Sequence, residues 1–459
     1  MKKYLLVDFG STFTKLTAVD TKKQDIIGTS FSLSTVKTNI LIGYQKALDE
    51  LYKKINEKII FDEVLACSSA SGGLKMAVSG LVPSLTVEGA KRACMGAGAK
   101  VDYLFSYRLT SQDITTLKES EIDILLLVGG IDGGNETIVS HNIIEVAKAK
   151  LPYPVIYAGN NKLIDTVKYW FDKYELNYFI APNIMSTINV LRFEETRKII
   201  REIFLTKIIE AKGIKQFENE NRTVLYPTPE SLLKASLLLA DGYQQETGLG
   251  DLMVIDVGGA TTDVYSMGFG YPKKTDVILK GLEETYDKRT VEGDLGLRVS
   301  AASLRDYLNC DSYFYREDIN FKKEVEKRIF DHNYISSNEN DYYVDKIMAS
   351  KCVEIATQRH VGTINSYFGG EGLIYFQEGK DLTDIETVIG TGGGLIYQPF
   401  RKEVLKNVEK NQDNDLRPKS PKYYIDDDYI MQTMGLLSEK EPLVALKILK
   451  KRIVKLDES

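Results

Sequence analysis

The sequence predicts an α/β protein of two lobes, and three glycine-rich turns predict it. The first, Asp8-Phe9-Gly10-Ser11-Thr12-Phe13-Thr14-Lys15, follows the apolar run 4–7. The second, Asp256-Val257-Gly258-Gly259-Ala260-Thr261-Thr262-Asp263, follows the apolar run 252–255. The third, Gly390-Thr391-Gly392-Gly393-Gly394-Leu395, follows Val388-Ile389 and contains no acid. Each of the first two turns has a further apolar run behind it, so each reads as strand, tight turn, strand.

The elements follow in chain order. Residues 4–34 read as a three-strand meander. Residues 39–57 read as a helix with Ile40, Leu41, Tyr44, Leu48, Leu51 and Ile55 on one face. Residues 64–68 read as a strand, with Ser71-Gly72-Gly73 as its loop. The run 122–128 is wholly apolar, as in a strand covered on both faces, and Gly129-Gly130-Ile131-Asp132-Gly133-Gly134-Asn135 follows it. Residues 154–183 hold two short strands around a helix at about 162–174. Helical patterns cover about 187–212 and 230–247.

The second half repeats the plan, with strands over 252–280, a helix over 341–366, and then the strand and glycine run at 388–395. Asp8 lies 120 residues before Val128, and Asp256 lies 132 residues before Val388. The halves thus share an acidic hairpin and a later glycine loop, an architectural repeat with little sequence identity. Residues 413–421 read as a linker, Asp426-Asp427-Asp428 as a helix start, and 442–456 as an amphipathic terminal helix.

A triphosphate needs several donors close by and a cation to offset its charge. Glycine lets backbone approach a ligand, and consecutive N–H groups form an anion-binding concavity. Ser11, Thr12, Thr261 and Thr262 add hydroxyls, and Lys15 adds an ammonium for the β/γ phosphates. Asp8 and Asp256 end their strands and face each other if the lobes oppose. Such carboxylates suit Mg2+, which binds through few carboxylates plus phosphate. Asp263 can hold a magnesium water or polarise the attacking one. The third run suits flat backbone against an adenine ring. Asp, Gly, Ser and Thr also build ordinary hairpin turns, so the weight rests on all three runs in order.

The bulk properties exclude several classes. The chain has 459 residues, 43% hydrophobic and 27% charged, with a formal net charge of −6. No global basic field invites nucleic acid. No apolar run is long enough to span a bilayer, and Asp8 ends the N-terminal one, so a cytoplasmic location is expected. Cys67, Cys94, Cys310 and Cys352 are scattered, as are His141, His332 and His360, so neither a redox pair nor a zinc spacing exists.

The order of two acid hairpins and a glycine loop resembles the actin, sugar-kinase and heat-shock-chaperone ATPase superfamily. That resemblance implies two ribonuclease-H-like lobes around a central nucleotide cleft. The first lobe then spans 1–250 with an inserted α/β segment at about 150–250, the second spans 251–420, and 421–459 forms a C-terminal tail helix. A narrower resemblance is to the GlmL/MutL family of glutamate mutase accessory proteins, unrelated to the mismatch-repair protein of that name. It is carried by residues 128–135, Ala158-Gly159-Asn160, Glu292-Gly293-Asp294-Leu295-Gly296-Leu297-Arg298 and Arg359-His360-Val361-Gly362.

By resemblance, Asp8 and Asp256 take the magnesium role, with Asp263 beside them. Gly10, Ser11, Thr12, Lys15, Gly258, Gly259, Thr261 and Thr262 take the phosphate role. Gly392, Gly393 and Gly394 take the adenosine role, and Asp294 and Gly296 start a helix near the nucleoside. Glu230, 26 residues before Asp256, stands where the chaperones carry a catalytic acid. An acid in a first helical turn is equally explained by the helix dipole. The family implies an ATP-dependent reactivating factor that exchanges damaged cobalamin on an adenosylcobalamin-dependent mutase, either glutamate mutase or an aminomutase. No residue pattern by itself indicates cobalamin.

The alternative is a small-molecule kinase of the same fold, which needs an acceptor pocket and a base near the γ-phosphate. A filament former fits the segment at 150–250 poorly, although a homo-oligomer stays open. An iron–sulfur activator of this fold needs clustered cysteines that the chain lacks.

Overall fold

The computed structural model describes residues 2–10, 12–35, 38–69, 74–209, 213–223, 225–308, 316, 318–369, 372–410 and 414–456. Ser11, the Ser71-Gly72-Gly73 loop, Cys310, Asp413 and the end of the helical pattern at 210–212 lie outside them. The chain divides into two compact units. One comprises Met1–Ala70, Ala211–Lys280 and Glu284–Ser459; the other comprises Ser71–Glu210 with Gly281–Glu283.

The first unit contains one sheet plan twice. Its first sheet uses β1 (Lys3–Phe9), β2 (Phe13–Asp20), β3 (Asp25–Leu33), β4 (Glu63–Ser68) and β5 (Leu225–Pro227), in the order β5-β4-β1-β2-β3. The meander β1-β2-β3 is antiparallel, while β4 and β5 run parallel to β1. Helix α1 (Ile40–Ile55) joins β3 to β4, and α2 (Thr228–Asp241) follows β5.

The second sheet uses β6 (Leu252–Val257), β7 (Thr262–Met267), β8 (Asp287–Glu292), β9 (Thr387–Thr391) and β10 (Lys422–Ile425). Their order is β8-β7-β6-β9-β10, with an antiparallel meander and two parallel strands, and a two-residue edge strand Val454–Lys455 pairs antiparallel with β10. Helix α3 (Glu339–His360) comes before β9, and α4 (Met431–Ser438) follows β10. Each half is therefore a ribonuclease-H-like lobe, and the pair is the actin-like ATPase fold expected from the sequence.

The repeat corrects one pairing. The β9 turn was matched in the sequence with the run at 128–135. In the structure β9 corresponds to β4: Thr391 sits beside Asp256 as Cys67 sits beside Asp8. The counterpart of the third glycine run is therefore the segment after Ser68, while 128–135 belongs to the second unit.

Element limits move for local reasons. Asn39 caps α1 by accepting from the Leu41 N–H at 2.9 Å. The buried face of α1 runs through Ile40, Gly43, Ala47 and Leu51, because the sheet comes close there. A Gly43 Cβ would already stand 3.0 Å from Thr35 Oγ1. Helix α3 stops at His360, short of the expected 366, and a strand Thr363–Gly369 pairs with Gly372–Glu378. The 414–421 stretch is packed: Arg417 is buried, its guanidinium holds Asp415 at 3.0 Å, and it donates to the Glu354 carbonyl at 3.2 Å. The terminal helix α5 (Pro442–Arg452) docks through Val444, Ala445, Leu446, Ile448 and Leu449.

The two lobes of this unit share a core. Tyr4, Leu6 and Val19 of the first sheet, Val254 and Ile389 of the second, and Leu232, Leu239, Met431 and Met434 of α2 and α4 form one buried cluster. Each such aliphatic side chain contributes about 1.5–3 kcal/mol.

The second unit is a complete doubly wound domain. Its strands are Lys75–Gly80, Lys100–Ser106, Ile124–Leu127, Val155–Tyr157 and Tyr178–Ile180. All neighbouring pairs are parallel, and in the unit's own numbering the order is 2-1-3-4-5. A helix follows every strand: Glu88–Gly96, Ser111–Glu119, Thr137–Ala149, Ile164–Lys173 and Glu194–Ile209. The sequence placed an insertion at about 150–250; this unit runs over Ser71–Glu210.

Candidate functional site: two acid hairpins

The hairpins β1-β2 and β6-β7 close with the same bond. The Gly10 N–H donates to the Phe13 carbonyl at 2.9 Å, and the Gly258 N–H donates to the Thr261 carbonyl at 2.9 Å. A Cβ on Gly10 would stand 2.7 Å from the Phe13 oxygen, so close approach, not positive φ, selects glycine there. The third turn differs. Gly392 has φ +88°, and a Cβ there would lie 2.2 Å from Asp256 Oδ1. Gly394 is also fixed by packing, against Val257 and Leu297, whereas Gly393 has room.

Cross-strand register places the chemistry. Asp8 lies opposite Lys15 on β2 and beside Cys67 on β4. Asp256 lies opposite Asp263 on β7 and beside Thr391 on β9. The lobes therefore match acid for acid at Asp8 and Asp256, then diverge to lysine and aspartate at the next strand.

Asp8 is buried and well supplied with donors. Its Oδ2 accepts from Lys15 Nζ at 3.0 Å, and its Oδ1 from Thr228 Oγ1 at 2.9 Å and Cys67 Sγ at 3.5 Å. Lys15 Nζ also sits 3.4 Å from the centre of the Tyr429 ring. Burial opposes the charge on Lys15, but Asp8 and Tyr429 outweigh it and hold the ammonium above the ordinary lysine value.

Asp256 is less fully compensated: Lys15 opposes its shift without cancelling it. Withdrawal from water and then the neighbouring Asp263 carboxylate push its carboxyl up to about 7, with Asp8 and Asp426 adding in the same direction. Burial likewise raises Asp426, which accepts from Thr391 Oγ1 at 3.0 Å and caps α4 through the Ile430 and Met431 N–H groups at 2.9 and 3.0 Å. Such an acid-rich pocket is what a divalent cation relieves. Among the described residues no group of three or more His, Cys, Asp or Glu has a metal-holding arrangement. Asp8 and Asp256, opposed to Lys15 and Asp263 across their hairpins, are a partial carboxylate set of the kind that magnesium completes with phosphate and water.

The remaining sequence candidates are placed as follows. Thr12 is exposed at the first turn, and Thr261 donates its hydroxyl to Asp263 Oδ2 at 2.9 Å. Asp263 is also gripped by Arg289, with Nε at 2.9 Å and Nη2 at 2.5 Å from its Oδ1. The Thr262 hydroxyl points to the Leu295 carbonyl at 2.9 Å, tying the second hairpin to the Gly296 loop. There a Gly296 Cβ would stand 2.6 Å from the Gly259 oxygen. Asp294 is held by Arg359 at 2.8 and 3.0 Å and by the Tyr307 hydroxyl at 2.8 Å. Glu230 is buried in the first turn of α2, 3.0 Å from Lys234 Nζ.

Thr228, Cys67, Tyr429, Asp426, Thr391 and Arg289 reach this site without having been singled out for it. Only Asp426 carried a signal, as a helix-start acid. The others arrive through strand pairing and tertiary packing.

Comparison with known proteins follows this geometry. A family model described as MutL protein matches residues 4–453. A Clostridium tetanomorphum protein described as Protein MutL is 43% identical over 461 residues, covering 99% of this chain and 100% of the relative. Among solved structures, a glycerol dehydratase reactivase aligns over 95% of this chain and 99% of its own, at 7% identity and a TM-score of 0.35. The ethanolamine utilization protein EutJ from Carboxydothermus hydrogenoformans aligns over 97% and 89%, at 11% identity and a TM-score of 0.24. At such TM-scores the structural likenesses carry no functional weight.

Proposed function

The chain belongs to the MutL protein family, and from that premise we propose that it is an ATP-dependent reactivating factor for an adenosylcobalamin-dependent mutase. Glutamate mutase is the proposed client, with an aminomutase as the second choice. The observation that carries the nucleotide part is the repeated hairpin: two turns closed by the same bond, each led by an acid, Asp8 and Asp256. The client comes from the family reading.

In this proposal Asp8 and Asp256 hold magnesium, which neutralises phosphate charge when bound. Backbone N–H groups at Gly10, Gly258 and Gly259, with Ser11, Thr12, Lys15, Thr261 and Thr262, bind the phosphates. Gly392, Gly393 and Gly394 give adenosine a flat wall. Lys15 must exchange the Tyr429 ring for phosphate, so nucleotide binding alters a contact between β2 and the segment before α4. ATP that touches both hairpins favours their approach, and hydrolysis removes that bias. Asp263 and Glu230 are the proposed water-orienting acids. Arg289 Nε holds Asp263 at 2.9 Å and Lys234 Nζ lies 3.0 Å from Glu230, which fixes the position of both carboxylates.

The test combines the protein with ATP, magnesium and glutamate mutase loaded with cyanocobalamin, and measures released cobalamin and phosphate together. ATP-dependent cobalamin release supports the proposal. Phosphate without cobalamin removes glutamate mutase as client. Rapid phosphate transfer to a metabolite replaces the proposal with the kinase reading. No helix among the described residues is long and apolar enough to cross a membrane.

A further inference from the structure

The glycine-rich stretch 128–135 and the Ala158-Gly159-Asn160 turn take no part in the site above. Both lie in the second unit, at the carboxyl ends of its third and fourth strands. Strands Lys75–Gly80 and Ile124–Leu127 are neighbours, yet their connections leave in opposite directions. One leads through helix Glu88–Gly96 to Lys100–Ser106, the other through helix Thr137–Ala149 to Val155–Tyr157. In an open parallel sheet such a switch point leaves a crevice at the strand ends, and ligands bind there.

We propose that this crest is a second ligand site, built for the phosphate group of a small molecule. The first support is Asn160, which is fully buried. Its Oδ1 accepts from the Gly133 N–H at 2.9 Å and the Lys162 N–H at 3.1 Å, so the amide lies under the glycine loop. Its Nδ2 is buried with no hydrogen-bond partner. A buried donor left unpaired is costly, and in this proposal the anion supplies the missing acceptor.

The second support is the backbone of the loop, where the Asp132, Gly133 and Gly134 N–H groups are taken by the Ser186 carbonyl, Asn160 Oδ1 and the Ile131 carbonyl, so that the ligand's donors come from its Gly129-Gly130-Ile131 end. Gly130 and Gly133 have φ of +70° and +73°, the left-handed backbone from which N–H concavities are made. The loop feeds directly into helix Thr137–Ala149, where Asn135 Oδ1 accepts from the Ile138 N–H at 2.9 Å and Glu136 at the N-cap position makes no side-chain cap. Lys162 Nζ lies 3.6 Å from where a Gly133 Cβ would stand, bringing an ammonium to the loop. Lys162 pairs with the exposed Glu136 at 3.9 Å, a contact that phosphate readily displaces.

The nearby acid, Asp132, is held in place by the protein's own donors. Asp132 Oδ1 already accepts from the Asn161 N–H at 3.0 Å and Asn183 Nδ2 at 2.8 Å, which braces the loop against the ends of the fourth and fifth strands. Packing accounts for Gly134 and Gly159, whose Cβ atoms would stand 3.0 Å from the Ile131 oxygen and the Gly129 nitrogen. It does not account for the orphaned Asn160 amide. On the strand-one side the Leu81 and Val82 N–H groups are both taken by Thr86 Oγ1 at 3.0 Å, so the ligand's donors come from the strand-three side.

The test is hydrogen exchange of the full chain, read by mass spectrometry peptide by peptide, with inorganic phosphate and glycerol 3-phosphate titrated in parallel. Protection over 129–137 and 160–163 is expected, and the tighter arm assigns the site to free or esterified phosphate. Asn160→Asp keeps both accepted bonds and replaces the orphaned donor with an acceptor. Lys162→Gln removes an exposed charge. Each is expected to weaken the protection about tenfold in ligand concentration. No protection in these peptides, or protection unchanged in both folded variants, overturns the proposal.

Discussion

Gly392 and Asp256 constrain each other, and that pair is the sharpest residue-scale test of the nucleotide site. An alanine methyl at 392 would meet Asp256 Oδ1 at 2.2 Å, on a backbone whose φ of +88° already disfavours any side chain. Gly392→Ala is expected to weaken magnesium-ATP binding at least about tenfold by calorimetry, while costing roughly 1–2 kcal/mol of stability from the backbone alone. Asp8→Asn keeps shape and loses charge, and is expected to abolish magnesium-dependent nucleotide binding; unchanged affinity would remove Asp8 from the site. His360 offers a pH test away from it. It is fully buried, its Nδ1 is 2.8 Å from Thr290 Oγ1 and its Nε2 2.8 Å from Ser266 Oγ. Burial, then Lys288 and Lys380, push its imidazole well below the ordinary value. The unfolded chain therefore takes up a proton below about pH 6.5 that the folded chain refuses, so stability is full above that pH and lost below it. Between pH 7.5 and 5.5 the loss from this one group is about 1.4 kcal/mol. Urea unfolding should show a loss smaller by that amount in His360→Gln.

At the scale of elements, the decisive contact is α2 against α4, the helices that follow the last parallel strand of each lobe. Gly435 of α4 sits so close to α2 that an added Cβ would fall 1.8 Å from the Ser231 carbonyl oxygen. Gly435→Ala is expected to cost about 3 kcal/mol or more, measured as a lowered urea midpoint, because both backbones must separate. An unchanged midpoint would show that the helices slide freely. The same contact marks the limit of sequence reading. Both acid hairpins were legible because a tight turn is local chemistry: the acid, the glycine and the hydroxyls sit within eight residues of each other. The partners of those acids were not legible. Cys67 and Thr391 are set by parallel pairing, and Tyr429 and Thr228 by packing across the first unit. The misplaced repeat has a similar cause. The run at 128–135 and the run at 390–395 both follow a buried parallel strand, and only topology tells which strand belongs to which sheet.

At the scale of the whole molecule, a ribonuclease-H-like lobe is interrupted between β4 and β5 by an entire doubly wound domain. The two short strands within 154–183 were legible, but the domain's start was not, because strands Lys75–Gly80 and Lys100–Ser106 and the helices Glu88–Gly96 and Ser111–Glu119 after them were not read from the sequence. The domain has its own core: Ala77, Leu125, Leu127, Ile143, Val146, Val155, Tyr157 and Phe171 are buried together. It also has its own backbone pairing, since none of its strands joins the sheets of the first unit. An element set closed in both respects folds by itself. Residues 74–209 expressed alone are therefore expected to unfold in one cooperative urea transition, with a stability of about 5–15 kcal/mol. A gradual transition, or a lost circular dichroism signal, would show that the domain depends on the rest of the chain. The complementary variant joins Ser69 to Gly213 by a short Gly-Ser linker. Every described side chain of the acid site, from Asp8 to Tyr429, lies in the unit that this variant keeps. Magnesium-ATP binding should survive in it. If cobalamin release from the client is lost at the same time, client recognition belongs to the inserted domain and nucleotide binding to the lobes. If nucleotide binding is lost too, the domain is part of the ATP site, and the assignment of that site to the two hairpins fails.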